Sequence, residues 1–153
     1  MNIRLATLED VEALGNLHFA LNRNRHRLQP KNYQGKSMDE EWILKNIQTR
    51  YRDYLVLEIN DEIKGMALIE IKETYSIPGS VKYKYLDLMA FYINPELDLN
   101  YYGHELLKAV RAWGKKYFLS YLQLNELINN EEMIKFLEKE QLMVTQQTFK
   151  CVI

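Results

Sequence analysis

Residues 85–116 read YLDLMAFYINPELDLNYYGHELLKAVRAWGKK, and this stretch decides the fold. Its first part completes a run over 81–93 that is rich in Tyr, Leu and Phe, which are residues that favour strands. Pro95 ends the run because proline cannot donate the next hydrogen bond of a ladder. After a short loop over 96–102, apolar residues recur at helical spacing over 103–116. The stretch therefore predicts a strand, a proline turn, a loop and a helix.

The rest of the chain extends this pattern on both sides. Apolar periodicity, cap residues and turn signals predict the following elements: an edge strand over 2–6, helices over 8–22 and 38–52, a hairpin of strands over 54–59 and 63–71, a strand over 117–124, a helix that begins after Asn130, and a final strand over 143–153. The order is β-α-α-β-β-β-α-β-α-β. It predicts an α/β, α+β-like fold with a mostly antiparallel sheet, helices on its faces, and a parallel crossover through the 103–116 helix.

Length, charge and cysteine content narrow the class of protein. The 153 residues predict one domain over 1–153. Twenty basic and 21 acidic side chains give a net charge of -1, which argues against a nucleic-acid or membrane partner. Cys151 is the only cysteine, so neither a disulfide framework nor a zinc motif is expected. Without a signal peptide or a long apolar run, the expected location is the cytoplasm.

One segment is strongly basic. It contains six cationic or titratable side chains, Arg23, Arg25, His26, Arg27, Lys31 and Lys36. The segment reads as a loop or a frayed helix end over 23–36. Two interpretations stay open: it holds an acidic substrate or the phosphates of a cofactor, or it is a solvated charge run. Nucleic-acid binding by this segment is a third interpretation, disfavoured because no known nucleic-acid motif is present.

Two motifs resemble the GNAT superfamily of acyl-CoA-dependent N-acyltransferases. Phe91-Tyr92-Ile93-Asn94-Pro95 is followed eight residues after the proline by Gly103 and then by Glu105-Leu106-Leu107, as at the family's cofactor loop. Residues 130–139, NEEMIKFLEK, are similar to the family segment Asn-x-x-Ala-x-x-Phe-Tyr-Glu-Lys. A weaker likeness covers Arg27-Leu28 and 30–33. Together with the element order, the resemblance extends over nearly the whole chain.

The resemblance implies an N-acetyltransferase that moves an acetyl group from acetyl-CoA to an amine of a small molecule or peptide. The implied cofactor-binding residues are Phe91, Tyr92, Ile93, Asn100, Tyr101, Tyr102, Gly103, His104 and Asn130. The implied catalytic base is Asp87, or Glu70 on the preceding strand. Both carboxylates have a second interpretation as exposed residues or as ion-pair partners of Lys72 and Lys84. A homodimer is expected because pairing would cover a sheet edge.

Three residues depart from the family pattern at functional positions. Asp98 stands in place of an arginine or glutamine and would repel a diphosphate. Tyr101 replaces a glycine and restricts the approach of backbone to ligand. Leu137 replaces a tyrosine that protonates the leaving thiolate, which leucine cannot do. These residues favour an alternative in which the cofactor site is eroded and the domain acts as a non-catalytic binding or regulatory module.

Overall fold

The fold is built on a five-stranded sheet in which strands that follow one another in sequence also lie side by side. The computed structural model describes all 153 residues, apart from the side chain of Gln48. The strands are β1 (Asn2–Leu5), β2 (Arg52–Ile59), β3 (Glu62–Glu73), β4 (Lys84–Ile93) and β5 (Tyr121–Gln123). The helices are α1 (Val11–Leu28), α2 (Glu40–Gln48), α3 (His104–Lys116) and α4 (Glu131–Lys139).

The strand pairing confirms the predicted sheet. β1 to β4 are antiparallel neighbours, and β4 pairs with β5 in parallel, as the predicted crossover through α3 requires. The β2–β3 hairpin turns through Asn60 and Asp61, whose φ angles are 51° and 63°. Asn and Asp tolerate this left-handed region better than most residues, which is why they suit such a tight turn.

The helices lie on the two faces of the sheet, each over its own apolar cluster. Leu55, Leu57, Ala67, Ile69 and Leu86 belong to a cluster with α3 and α4. Alternate residues of the same strands, including Tyr54, Val56, Met66 and Leu68, pack with α1 and α2 on the opposite face. We call these the α3/α4 face and the α1/α2 face. No helix in the described part of the chain is long and apolar enough to cross a membrane.

The predicted final strand over 143–153 is wrong. These residues are exposed and pair with no strand in the described chain, although Val, Thr, Phe and Ile are frequent among them. Strand propensity reports how well a side chain fits a pleated, half-buried surface, and this segment has no such surface. The predicted strand over 117–124 is also too long, because β5, at the edge of the sheet, has only three residues.

Two helix boundaries also differ from the prediction. α1 continues to Leu28, so residues 23–28 are helical and only 29–36 form a loop. Arginine is a good helix former, and positive charge is favourable near a helix C-terminus. α2 begins at Glu40 and ends at Gln48, inside the predicted 38–52. The side chain of Asp39 caps it by accepting a hydrogen bond from the Glu41 amide at 3.0 Å.

Candidate active site

The two parallel strands that α3 connects, β4 and β5, separate after a short paired section. Tyr85, Leu86 and Asp87 of β4 pair with β5, and in the described chain no strand pairs with that edge of β4 over residues 88–93. The separation begins where Met89 forms a bulge, since Leu68 faces Ala90 and Ile69 faces Leu88. Bulges bend a strand and redirect its side chains. The second half of β4 therefore presents an open backbone edge.

The segment after β4 forms a helical turn where the sequence predicts a loop. One turn of π-helix over Leu99–Gly103 runs directly into α3. Asp98 caps this turn: its carboxylate accepts from the Asn100 amide at 3.0 Å, and its carbonyl accepts from the Tyr102 amide at 2.9 Å. Amides that a phosphate loop would leave free are thus partly used within the helix. The negative charge of Asp98 lies at the end of the helix that favours anions.

Gly103 is needed for packing. A Cβ atom at this position would lie 2.9 Å from Phe136 Cζ and 3.1 Å from Leu99 Cδ1, which is too close for a side chain. The Phe136 ring also stacks on Phe91, with centroids 6.0 Å apart and an angle of 16° between the planes. The glycine therefore lets the start of α3 press against α4 and β4.

A cavity of about 310 Å³ lies between the capped turn and α4. It is lined by Leu97, Asp98, Leu99, Asn100, Glu132, Lys135, Phe136 and Lys139. Lys135 and Lys139 are exposed, and neither has a carboxylate within 4.0 Å in the described part of the chain. They are four residues apart on α4, so both ammonium groups lie on one side of the helix. We call this space the α4 cavity.

His104 faces the other side of the α3 start. Its Nδ1 lies 2.8 Å from Oε1 of Glu140, and Arg111 Nη1 donates to Oε2 of the same carboxylate at 3.0 Å. Burial disfavours the charged form of Glu140, but the hydrogen bonds from His104 and Arg111 outweigh it and lower the pKa of Glu140. The Nδ1 atom of His104 is therefore engaged with a carboxylate, and the cofactor role of His104 stays a prediction.

Charged side chains cross the α1/α2 face beside the bulge. Glu70 stands between Arg52 and Asp87 in the sheet register. Lys72 Nζ donates to Asp87 Oδ2 at 2.5 Å, and Arg52 Nε lies 3.2 Å from Glu70 Oε2. The hydrogen bond to Asp87 raises the pKa of Lys72. We call these four side chains the ionic row; both candidate bases belong to it.

The sequence profile of the acetyltransferase (GNAT) family matches residues 20–141. The chain belongs to this family. Its open β4 edge and its parallel β4–α3–β5 crossover lie inside the matched segment. No curated protein is similar enough in sequence to match the chain.

Several solved structures share the GNAT fold of this chain. The BH1408 protein from Bacillus halodurans, solved as a tetramutant, has a TM-score of 0.93 at 17% identity, with 100% of both chains covered. The aminoglycoside N-acetyltransferase AAC(6')-Iy, solved in complex with CoA, has a TM-score of 0.75 at 15% identity, covering 99% of this chain and 98% of its own. AAC(6')-Ih from Acinetobacter baumannii has a TM-score of 0.73 at 16% identity, covering the same shares. At these identities the likeness establishes the fold.

The structure places the predicted cofactor residues of this GNAT chain in different surroundings. Three of them, Phe91, Ile93 and Gly103, are buried on the α3/α4 side. Tyr92 lies on the α1/α2 side and lines a cleft of about 530 Å³ with α1 and the β2–β3 turn. Burial raises the pKa of Tyr92. Phe91 and Ile93 could therefore meet a ligand along β4 only through their backbone.

The remaining predicted residues surround the start of α3 and α4. Asn100 lines the α4 cavity, while Tyr101 is 55% exposed and meets Tyr102 edge-on at a centroid distance of 4.9 Å. Asn130 precedes α4 and donates from Nδ2 to Glu126 Oε1 at 3.2 Å. Leu137, at the position of the family's tyrosine, is buried in the core. The cofactor role of these residues stays a prediction.

The two lysines of the α4 cavity are not among the cofactor-binding residues that the family resemblance implies. Lys135 and Lys139 stand within the quoted 130–139 segment, at a spacing of one helical turn. That spacing is a signal for a cationic pair on one helix side. Their relation to Asn100 depends on how α4 packs against α3, and a single sequence does not contain it. No group of three or more His, Cys, Asp or Glu residues in the described chain is arranged to hold a metal ion.

Proposed function

We propose that this chain is an N-acetyltransferase that moves an acetyl group from acetyl-CoA to the amine of a small molecule or peptide. The observation that carries the proposal is the open edge of β4 over residues 88–93, in a member of the GNAT family. An unpaired strand edge can pair with an extended ligand through its backbone groups. The amide-bearing pantetheine arm of CoA is such a ligand. It would run along β4 and end near the bulge at Met89.

The diphosphate would lie at the C-terminal end of β4, in the α4 cavity. Lys135 and Lys139 supply two positive charges without internal partners, and lysine binds phosphate as a point charge. The Asp98 carboxylate already accepts the Asn100 amide, and its side chain therefore has a role within the helix cap. In this proposal, Lys135 and Lys139 neutralise the charge of the diphosphate, whereas in the family glycine-rich backbone amides commonly hold it.

Proton transfer would take place at the ionic row, on the α1/α2 face. The acceptor amine must lose a proton as it attacks the thioester carbonyl, and Asp87 or Glu70 would take it directly or through water. Lys72 and Arg52 hold these carboxylates in position. Because Leu137 offers no phenol, the departing thiolate would take its proton from water. A thiol pKa of about 8.5 makes this protonation favourable at neutral pH.

Calorimetric titration with acetyl-CoA tests the proposal. We expect saturable binding by the unaltered chain and at least a tenfold weaker affinity for the double variant Lys135→Glu, Lys139→Glu. Lys82→Glu is the matched control, because Lys82 is an exposed lysine before β4 and far from the α4 cavity in the sequence. Absence of binding at millimolar acetyl-CoA would overturn the acetyltransferase proposal. Equal weakening by the control would overturn the role of the α4 lysines.

A second candidate is a GNAT-like domain that has lost its cofactor and acts as a binding or regulatory module. The capped π-helical turn at Asp98 favours it, because the carboxylate occupies the helix end that a diphosphate would need. The variant Asp98→Arg, Tyr101→Gly separates the candidates. If the site is eroded, this variant gains acetyl-CoA affinity over a chain that does not bind it. If the α4 lysines hold the diphosphate, the gain is small over a chain that already binds.

We infer a homodimer and a cytoplasmic location as further parts of the proposal. The edge strand β5 carries an exposed Tyr121, and the tail over 143–153 exposes Phe149 and Val152. A second copy that covered these residues would remove apolar surface from water. The lone, exposed Cys151 is compatible with a reducing compartment. Light scattering on the purified chain measures the oligomeric state: twice the monomer mass is expected, and a monomer at all concentrations contradicts it.

A further inference from the structure

The C-terminal end of α1 carries an uncompensated positive charge. Arg23, Arg25 and Arg27 lie on its last turns, and Lys31 and Lys36 follow in the loop. None of these five cations has a carboxylate within 4.0 Å among the described residues, whereas the chain as a whole has a net charge of -1. We call these five residues the basic cluster.

The helix dipole accounts for only part of this cluster. Cations are favourable within the last turn of a helix, which applies to Arg25 and Arg27. Lys31 and Lys36 lie beyond the helix end, and the dipole effect falls off outside the last turn. The contacts of the arginines are with neutral groups: Arg25 lies over the Tyr33 ring at 5.9 Å, and Arg27 donates to Asn24 at 2.7 Å. The positive charge of the basic cluster is therefore available to a group outside the chain.

Arg25 points from the side of α1 that faces the sheet. The buried stripe of α1 is Leu14, Leu17, His18 and Leu21, and Arg25 is one turn after Leu21 and two turns after His18. It is half-buried, unlike Arg23 and Arg27. Its charge also reaches the His18 ring, where it adds to the effect of burial. Arg25 is thus the member of the cluster nearest to the α1/α2 face.

The end of α1 touches the far side of the gap between β4 and β5. Asn129, in the segment that joins β5 to α4, donates to the Leu28 carbonyl at 2.7 Å. Gln29 donates from Nε2 to Asn129 Oδ1 at 3.2 Å. These contacts fix the end of α1, which carries Arg25 and Arg27, against the segment that follows β5, and α1 packs on the face to which Asp87 and Glu70 also belong. A molecule that reached the ionic row through this opening would pass the cluster.

We propose that the acceptor carries an anionic group, a carboxylate or a phosphate, beside its amine, and that Arg25 with the basic cluster holds that group. This inference rests on the proposed acetyltransferase function. The inference also gives this chain a different acceptor from that of the neighbours named as aminoglycoside N-acetyltransferases. Aminoglycosides are polyamines, and five uncompensated cations at the opening would repel a polycation.

Matched amines that differ in charge test the inference. Release of free CoA thiol is followed with β-alanine (a carboxylate), phosphoethanolamine (a phosphate), ethanolamine (no anionic group) and kanamycin (a polycation). We expect kcat/KM for at least one anionic amine to exceed that for ethanolamine about tenfold, and to exceed that for kanamycin by more. The larger of the two anionic values identifies carboxylate or phosphate as the preferred group. A preference for ethanolamine or kanamycin overturns the inference.

Variants at Arg25 locate the anion. Arg25→Gln should raise KM for the preferred anionic amine about tenfold, with kcat nearly unchanged. KM for ethanolamine should stay the same. Arg25→Lys should bring KM for the anionic amine part of the way back. Lys82→Gln is the control for a lost surface charge. An equal loss for the anionic amines and for ethanolamine would mean that Arg25 has a packing role only, and would overturn the inference. Thermal melting of each variant checks that it is folded.

Failure of the proposed function gives a different pattern. If acetyl-CoA does not bind, no amine is acetylated, and the anionic probes are then titrated directly by NMR against the unaltered chain and Arg25→Gln. Shifts of resonances around Arg25 that need the arginine support an anion site even without turnover. Absence of such shifts overturns the anion site, whatever the outcome with acetyl-CoA.

Discussion

The two faces of the sheet differ in chemistry. On the α3/α4 face the buried cluster consists of apolar side chains alone, with Phe136 at its centre. On the α1/α2 face, buried His18 and Asn46 lie among the apolar residues, and the ionic row crosses the strands beside the bulge. The first face therefore supplies packing, while the second retains polar groups that a stable core does not require.

Buried His18 and Asn46 each have a specific partner on the α1/α2 face. His18 Nε2 lies 2.8 Å from the Tyr54 hydroxyl, and Asn46 links α2 to β2 by accepting from Arg52 Nη1 at 2.8 Å. Burying a polar group is costly unless it is hydrogen-bonded. The α1/α2 face thus holds partnered polar groups and both candidate bases, which is why we place the proposed proton transfer there, while the α3/α4 face positions β4 and the α4 cavity.

The largest expected effect comes from breaking the apolar face. Phe136→Ala removes a ring that is 2% exposed and packs on Phe91 and Gly103. We expect the free energy of unfolding to fall by about 3–5 kcal/mol, measured by urea denaturation. Phe149→Ala, at an 88% exposed position, is the control and should change little. A loss below about 1 kcal/mol for Phe136→Ala would contradict this description of the face.

The second prediction is a dependence of folding stability on pH that arises from His18, on the α1/α2 face. Burial, with a smaller contribution from Arg25, lowers the pKa of His18 from 6.5 to about 4. Between these values the unfolded chain binds a proton that the folded chain does not. Stability should therefore fall as the pH decreases from 6.5 towards 4, by on the order of 3 kcal/mol.

His18→Gln isolates this contribution. Glutamine keeps a hydrogen-bonding group near the Tyr54 hydroxyl but does not titrate. The difference between the two curves of unfolding free energy against pH removes the contribution of the carboxylates, which is common to both chains. Parallel curves between pH 4 and 6.5 would show that His18 is not the group responsible.

The third prediction concerns the ionic row. Asp87→Asn should lower kcat by about a hundredfold if Asp87 is the general base, and Glu70→Gln should do so if Glu70 is. Glu73→Gln, on an exposed residue at the end of β3 that pairs with Lys84 at 3.6 Å, is the control. Unchanged kcat in both Asp87→Asn and Glu70→Gln would leave the row a purely structural role.

The smallest effect is expected at the capped turn. Asp98→Ala removes the side-chain hydrogen bond to the Asn100 amide, and loss of a helix cap costs about 1 kcal/mol. Thermal melting measures this change. Glu96→Ala, three residues after the end of β4, is the matched control, because its exposed carboxylate caps no helix. Equal melting temperatures for Asp98→Ala and the unaltered chain would contradict the cap.

Much of the fold follows from local sequence signals. The run that ends at Pro95, the Asn60-Asp61 turn and the periodicity of α3 each have a local physical cause, and the structure confirms all three elements. The strand over 143–153 failed because propensity does not create a pairing partner. At Asp98 the family resemblance predicts only a charge facing a diphosphate, whereas the structure has a helix cap, a role for which aspartate is well suited.

The candidate site was harder to predict because it depends on register and on helix packing. The ionic row exists because Arg52, Glu70 and Asp87 share one register line across three strands. A one-residue shift would send the side chains of a strand to the opposite face, and a single sequence does not determine the register. The α4 cavity likewise requires the contact of Gly103 with Phe136.

A crystal structure with bound acetyl-CoA tests the central claim most directly. We expect the pantetheine arm along residues 88–93 of β4 and the diphosphate in the α4 cavity, within hydrogen-bonding distance of Lys135 or Lys139. A diphosphate bound elsewhere would contradict the assignment of the α4 cavity. A site that stays empty at saturating acetyl-CoA, with the Asp98 cap intact, would contradict the acetyltransferase proposal itself.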